Sequence, residues 1–149
     1  MGRVLHATKI DTAGVDLSWL SGRVLVDVSW SDPLPWLFSF DDGTRVSVEC
    51  SWRVLQDEQI ALSDADHRQK YGLPALIDAV AEARALLSGG VVSKVALSEG
   101  TLDLSFTFFT GVTLQIIPFF RGYECWQISS PGRLQLVAMA GAGVSTYPE

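Results

Sequence analysis

Short alternating segments separated by turn residues dominate the chain. In "RVLVDVSW", Val24, Val26, Val28 and Trp30 share one face and Leu25, Asp27 and Ser29 the other, the period of a half-buried strand. "SDPLP" ends it. Trp36, Phe38 and Phe40 then fall on one face, and the "DDG" of residues 41–43 makes a hairpin turn in which Gly43 supplies positive φ. The clearest alternation follows: Val46, Val48, Cys50 and Trp52 oppose Arg45, Ser47, Glu49, Ser51 and Arg53, which predicts one strand through this whole stretch. A short strand is predicted over 59–62.

The strand pattern breaks at "SDADHRQKYG", where Ser63 or Asp64 caps a short helical turn. "LPALIDAVAEARALLSGG" then carries the main helix. Pro74 suits its first turn, Leu73, Leu76, Ile77, Val80 and Leu87 form its apolar stripe, and Gly89-Gly90 stops it. Alternation resumes over 91–97. Leu102, Leu104, Phe106 and Phe108 share a face, Gly111 turns the chain, and Val112, Leu114 and Ile116 share the next face. Further strands are predicted over 124–129 and 134–139. Residues 1–22 carry no readable period, and the tail "GAGVSTYPE" is expected to be loose.

A shift of 68 residues carries Trp36 onto Leu104, Phe38 onto Phe106, Phe40 onto Phe108, Gly43 onto Gly111, Val46 onto Leu114 and Val48 onto Ile116. Side-chain size and inward parity agree at each step. We therefore expect an α+β fold: two similar antiparallel β-meanders forming a curved sheet or pair of sheets, with the main helix between them in sequence. The chain reads as a single domain over 1–149 with an internal pseudo-repeat, about 22–54 and 90–129. "ECSW" and "ECW" are not an aligned pair. Cys50 and Trp52 share a face, whereas Cys125 and Trp126 are one residue apart and would point oppositely unless a bulge intervenes. Parity puts Trp126 and Ile128 inside and Tyr123, Cys125 and Gln127 outside, so Cys50 is expected to be buried and Cys125 more accessible.

Composition narrows the function classes. Apolar residues make up 48% of the 149, enough for a core without staples. The net charge of −6 opposes a phosphate backbone, so nucleic acid is not expected as a partner, while a basic protein is compatible. No run of apolar residues has the length of a membrane helix, and the opening residues lack the pattern of a secretory signal. The two cysteines are far apart in sequence, which fits free thiols in a cytoplasmic protein, and no membrane partner is expected.

Chemistry is sparse. The two histidines are His6 and His67, and neither accompanies a nucleophile turn, so no catalytic residue is assigned. Asp64, Asp66 and His67 are the best metal-ligand candidates, but the same spacing makes an acidic helix cap, and no metal or cofactor is expected. "AGAGVS" has the glycine density of a phosphate loop without the following helix. Trp19 and Trp30 could line a ligand cavity, although core positions suit them better. Arg45, Glu49 and Arg53 share a polar strand face and form either a solvated ionic row or a recognition patch. "PFFRGYE" places Phe119, Phe120, Arg121 and Tyr123 on or beside a loop, where either Phe119 or Phe120 folds back to cap the core or at least two of the four are exposed with the composition of an interface hot spot.

Four stretches, "FSFDDGTRVSVECSWRV", the Asp64-Ala65-Asp66-His67 before the helix, "DLSFTFFTGVTLQI" and "YECWQISSPG", span Phe38 to Gly132. They resemble small uncharacterised bacterial domains, some similar to immunity proteins of polymorphic toxin systems. The resemblance implies an α+β sheet protein that binds and blocks another protein and supplies no catalytic residue. We expect a non-catalytic protein-binding module, an immunity or accessory protein, partnered by another protein or by itself. The alternatives are a small-ligand-binding domain with a cavity between sheet and helix, and an enzyme of unrecognised type.

Overall fold

The computed structural model describes residues 8–133, 135–139, 141 and 143–148. His6 lies outside the described residues. Among the described residues, twelve strands form two antiparallel sheets. The larger contains β1 (Thr8–Ile10), β2 (Leu25–Ser29), β3 (Trp36–Phe40), β4 (Arg45–Val48), β10 (Glu124–Ser129), β11 (Gln135–Met139) and β12 (Gly143–Tyr147), in the order β1-β12-β11-β10-β4-β3-β2. The smaller contains β5 (Ser51–Gln56), β6 (Gln59–Ser63), β7 (Val92–Leu97), β8 (Leu104–Phe108) and β9 (Thr113–Ile117), in the order β6-β5-β9-β8-β7. The main helix, α1 (Ala79–Leu87), follows β6 in the chain and precedes β7.

The inward residues of the two sheets meet in one core. Phe40 of β3 lies 5.7 Å from Phe106 of β8, and Phe38 stands edge-on to Trp52 of β5 at 5.6 Å between ring centroids. Trp36, Phe38, Phe40, Leu104, Phe106, Phe108, Leu114 and Ile116 are all buried, as the alternation requires. The hairpin turns after β3 and β8 carry the same hydrogen bonds. Gly43 N–H donates to Phe40 O and Phe40 N–H to Thr44 O; Gly111 N–H donates to Phe108 O and Phe108 N–H to Val112 O. Both glycines sit at positive φ, +86° and +91°, which the turn demands and L side chains resist.

The stretch from Arg45 to Arg53, expected as one strand, is two. The chain leaves the larger sheet after Val48 and enters the smaller one at Ser51, with Glu49 and Cys50 as the crossing. The reverse happens between β9 and β10. Each run of three consecutive strands is therefore completed by a strand from the other half of the chain: β10 pairs with β4, opposing Trp126 to Val48, and β5 pairs with β9, opposing Trp52 to Ile116. Alternation could not reveal the crossing, because a chain passing between two facing sheets keeps its apolar side toward the space between them.

Three further differences have local causes. A β-bulge between Leu25 and Asp27 resets the phase of β2, so Leu25 and Val28 are buried while Val26 is exposed. A bulge between Glu124 and Trp126 turns both Cys125 and Trp126 inward, so Cys125 is fully buried rather than accessible. The tail is not loose: β12 pairs with β11 on one side and β1 on the other.

The helix is shorter than predicted. Ile77 N–H donates to Gln69 O, and Ile77 O accepts from Arg68 N–H, which holds residues 73–77 out of helical geometry. Asp78 is the N-cap, its carboxylate accepting from Val80 and Ala81 N–H. Leu73 and Leu76 are consequently exposed, and α1 buries Leu87, as expected, together with Ala79 and Ala83. Arg84 fastens it to β2 through Val28 O at 2.8 Å and Asp27 at 3.0 Å. No helix among the described residues is long and apolar enough to cross a membrane.

The two thiols meet at the crossings. Cys50 Sγ donates to Cys125 O at 3.3 Å, and Glu49 N–H donates to the same carbonyl. Both cysteines are free and buried, and burial, reinforced by the neighbouring Cys125, pushes the Cys50 thiol far above its ordinary range. Neither thiol should react with a maleimide in native protein at pH 8, and both should react in denaturant. Rapid native labelling of either would contradict this packing. Phe106→Ala, which opens a cavity between the sheets, should cost about 3–5 kcal/mol in chemical denaturation, and a loss below about 1 kcal/mol would show the site to be loosely packed.

Candidate interaction site

One end of the sandwich gathers aromatic and apolar side chains from segments distant in sequence. Trp30 closes β2 and opens the loop that runs through Leu34 and Pro35 to β3. Trp30 and Trp36 stack at 5.2 Å with planes 15° apart. Trp36 in turn meets Trp52 edge-on at 4.9 Å, and Trp52 meets Phe38, so a column of rings runs from the surface into the core. His67 stands edge-on to Trp30 at 5.1 Å and to Trp36 at 5.8 Å. Arg68 places its guanidinium 5.5 Å from the Trp30 ring centroid.

Two open clefts flank the Trp30–Pro35 loop. The first, about 370 Å³, is walled by Trp30, Pro33, Leu34, Trp36 and Phe120, with Glu49, Cys50 and Asp64 also lining it. The second, about 560 Å³, shares Trp30, Leu34 and Pro35 and extends over the outer face of the larger sheet to Leu37 and Arg45. Of the cleft walls, Leu34 is 61% and Phe120 42% exposed, and near Phe120 in the chain lie Phe119, 75% exposed, and Tyr123, 74% exposed. Arg121 is exposed as well. Phe120 and Tyr123 pack edge to face at 5.9 Å, so the loop has internal order of its own.

Most of the interface residues named from sequence therefore share one end: Phe120 and Glu49 line the first cleft, Phe119, Arg121 and Tyr123 adjoin Phe120, and Arg45 lines the second. Arg53 does not join them. It lies on β5 in the smaller sheet, where its Nε donates to Gln115 at 2.7 Å. The ionic row of Arg45, Glu49 and Arg53 fails because the crossing at Glu49-Cys50 divides it between sheets. Trp30, which the sequence offers as a cavity-lining residue, lines both clefts, whereas Pro33, Leu34 and Pro35 of the same loop are not among the residues named from sequence. Their signal was present: a leucine between two prolines, which neither a strand nor a helix can bury.

Asp64, Asp66 and His67 hold the chain together here. Asp64 caps the open N–H of Trp52 at 3.1 Å. Asp66 accepts from Ser63 N–H at 2.8 Å and from the Tyr71 hydroxyl at 2.9 Å, closing the short helical turn over Asp64–Asp66. His67 Nδ1 accepts from Ala79 N–H at 3.0 Å, tying that turn to the start of α1. Among the described residues no group of three or more His, Cys, Asp or Glu is arranged to hold a metal ion.

Burial raises the Asp64 carboxyl, against the pull of the Trp52 N–H and its other backbone bonds, and Asp66 adds to the rise. The raised value means that ionised Asp64 burdens the fold: its favourable contribution is complete below the unfolded carboxyl range, about pH 4, and is lost as pH rises through the folded value. Asp64→Asn keeps an acceptor for Trp52. It should match the parent's melting temperature at pH 3 and equal or exceed it at pH 7. A variant stable at pH 3 but clearly weakened at pH 7 would show that the anion is stabilising.

No curated protein and no solved structure matches the chain. A family model described as a family of unknown function (DUF6188) matches residues 16–148. The match takes in every strand except β1, the helix and both clefts, and this protein belongs to that family of unknown function, DUF6188.

Proposed function

We propose that the protein is a non-catalytic protein-binding module whose docking surface is the end formed by the Trp30–Pro35 loop and the Phe119–Tyr123 loop. The observation that carries this is the exposure of Leu34, Phe119, Phe120 and Tyr123 beside an aromatic-walled cleft. Large apolar side chains presented together on loops, with an arginine among them, have the composition of an interface hot spot rather than of a solvated turn. Only one half of the chain has this feature. The crossing from β4 to β5 takes two residues, Glu49 and Cys50, whereas that from β9 to β10 takes residues 118–123. We read the chain as a doubled unit in which the second crossing has been extended to meet a partner.

An accessory or immunity-like role, binding and blocking another protein, fits this reading, and the net charge of −6 suits a basic partner. Catalysis finds less support: the thiol lining the cleft is held protonated by burial. A small-ligand cavity between sheet and helix also finds less, because Ala79 and Ala83 seat α1 closely on its neighbours.

The double variant Phe120→Ala/Arg121→Ala tests the surface. Its stability should stay within about 0.5 kcal/mol of the parent, the usual range for surface substitutions away from special features. Association should be lost, whether self-association measured by sedimentation or capture of a protein partner. A large fall in melting temperature with association intact would assign the loop to the core and remove the proposed surface.

A further inference from the structure

We propose that the first cleft receives a guanidinium, an arginine side chain of the protein partner, held by Glu49 and Asp64 beside the exposed Phe120 ring. This rests on the docking surface proposed above and specifies the chemistry of what enters it. The charged groups lining the cleft are both acidic. Glu49 is exposed and has no ion-pair partner among the described residues, whose ion pairs are Arg23–Asp42 and Arg84–Asp27. Asp64 is partly buried, so its charge is poorly solvated and an incoming cation would replace missing water. Arg68 stands over the Trp30 ring and Arg121 adjoins Phe120, but neither lines the cleft.

The walls select among cations. Phe120, 42% exposed, offers a π-face; Trp30 is already covered by Trp36 and Arg68, and Pro33 and Pro35 add apolar rings. A guanidinium is planar, weakly hydrated and able to stack while its edge donates to carboxylates; an ammonium holds its water more tightly. The protein already uses this pairing internally. Arg133 lies 4.0 Å from the Trp19 ring centroid and Arg68 lies 5.5 Å from that of Trp30.

The test has two arms on the full chain. In the first, N-acetyl-arginine amide is titrated while indole resonances of Trp30 and Trp36 are followed, with the neutral isostere N-acetyl-citrulline amide as control. In the second, a random-peptide display library is selected against the parent and counter-screened against Phe120→Ala and Glu49→Gln. Arginine-enriched peptides that need Phe120 and weaken about tenfold with Glu49→Gln, the scale of one charged hydrogen bond, would support the inference. So would saturable shifts with arginine and not with citrulline. Peptides that need Phe120 but lack arginine enrichment, or that ignore Glu49→Gln, would overturn the guanidinium and leave the docking surface standing. Equal binding of citrulline would do the same. Selected peptides indifferent to Phe120→Ala, or a library yielding no binder, would overturn the surface and the guanidinium together.

Discussion

The pairing of β4 with β10 and of β5 with β9 is the constraint on which the architecture depends. A strand ending a three-stranded run presents a row of unpaired N–H and C=O groups, and these must be covered. Here the cover comes from the opposite half of the chain each time. The two sheets are thus tied to one another through backbone hydrogen bonds as well as through the rings between them. Without the other half in place, both β4 and β9 would be open sheet edges. Where the two crossings approach, the Cys125 carbonyl accepts from both the Cys50 thiol and the Glu49 N–H.

The crossings also decide where the proposed binding surface lies. A two-residue passage at Glu49-Cys50 leaves no slack, so Cys50 lies buried against the partner crossing and Glu49 is left at the rim. The six residues of the second passage exceed what the gap needs. Pro118 begins that passage without a backbone N–H to donate, and Gly122 eases its turn, so the surplus bows outward with its aromatic side chains exposed. The stack of Trp30 on Trp36, and of Trp36 on Trp52, anchors the facing loop to the core. Exposed rings on an anchored base lose little conformational freedom on binding, which fits the proposed docking role.

The polar groups at this end serve mainly to fix the backbone. Asp66 closes the helical turn, His67 holds the first residue of α1, and Asp64 satisfies Trp52 N–H. A metal-like triplet in sequence becomes three separate fastenings because each group is already committed to a backbone donor. Glu49 differs in having no such commitment, and it lies where the aromatic walls open to solvent.

Alternation along the chain was enough to identify the buried faces of β3, β8 and β9, the glycine turns at Gly43 and Gly111, and the antiparallel character of the sheets. These depend on residues close in sequence, and side-chain parity reports them directly. The loop that carries Phe119, Phe120, Arg121 and Tyr123 was legible for the same reason, since proline and glycine bracket it, but whether its aromatic rings cap the core or face solvent was decided by the tertiary structure. Parity cannot report a change of sheet, because Val48 and Trp52 face the same interior from opposite walls. Nor can it locate a bulge, which is why Val26 and Cys125 were assigned to the wrong faces. The helix start was obscured by Ile77, whose backbone bonds to Gln69 and Arg68 outcompete the helix ladder. The cleft itself, joining Trp30, Glu49, Asp64 and Phe120 across 90 residues of chain, exists only because the two crossings bring both halves to one end of the sandwich.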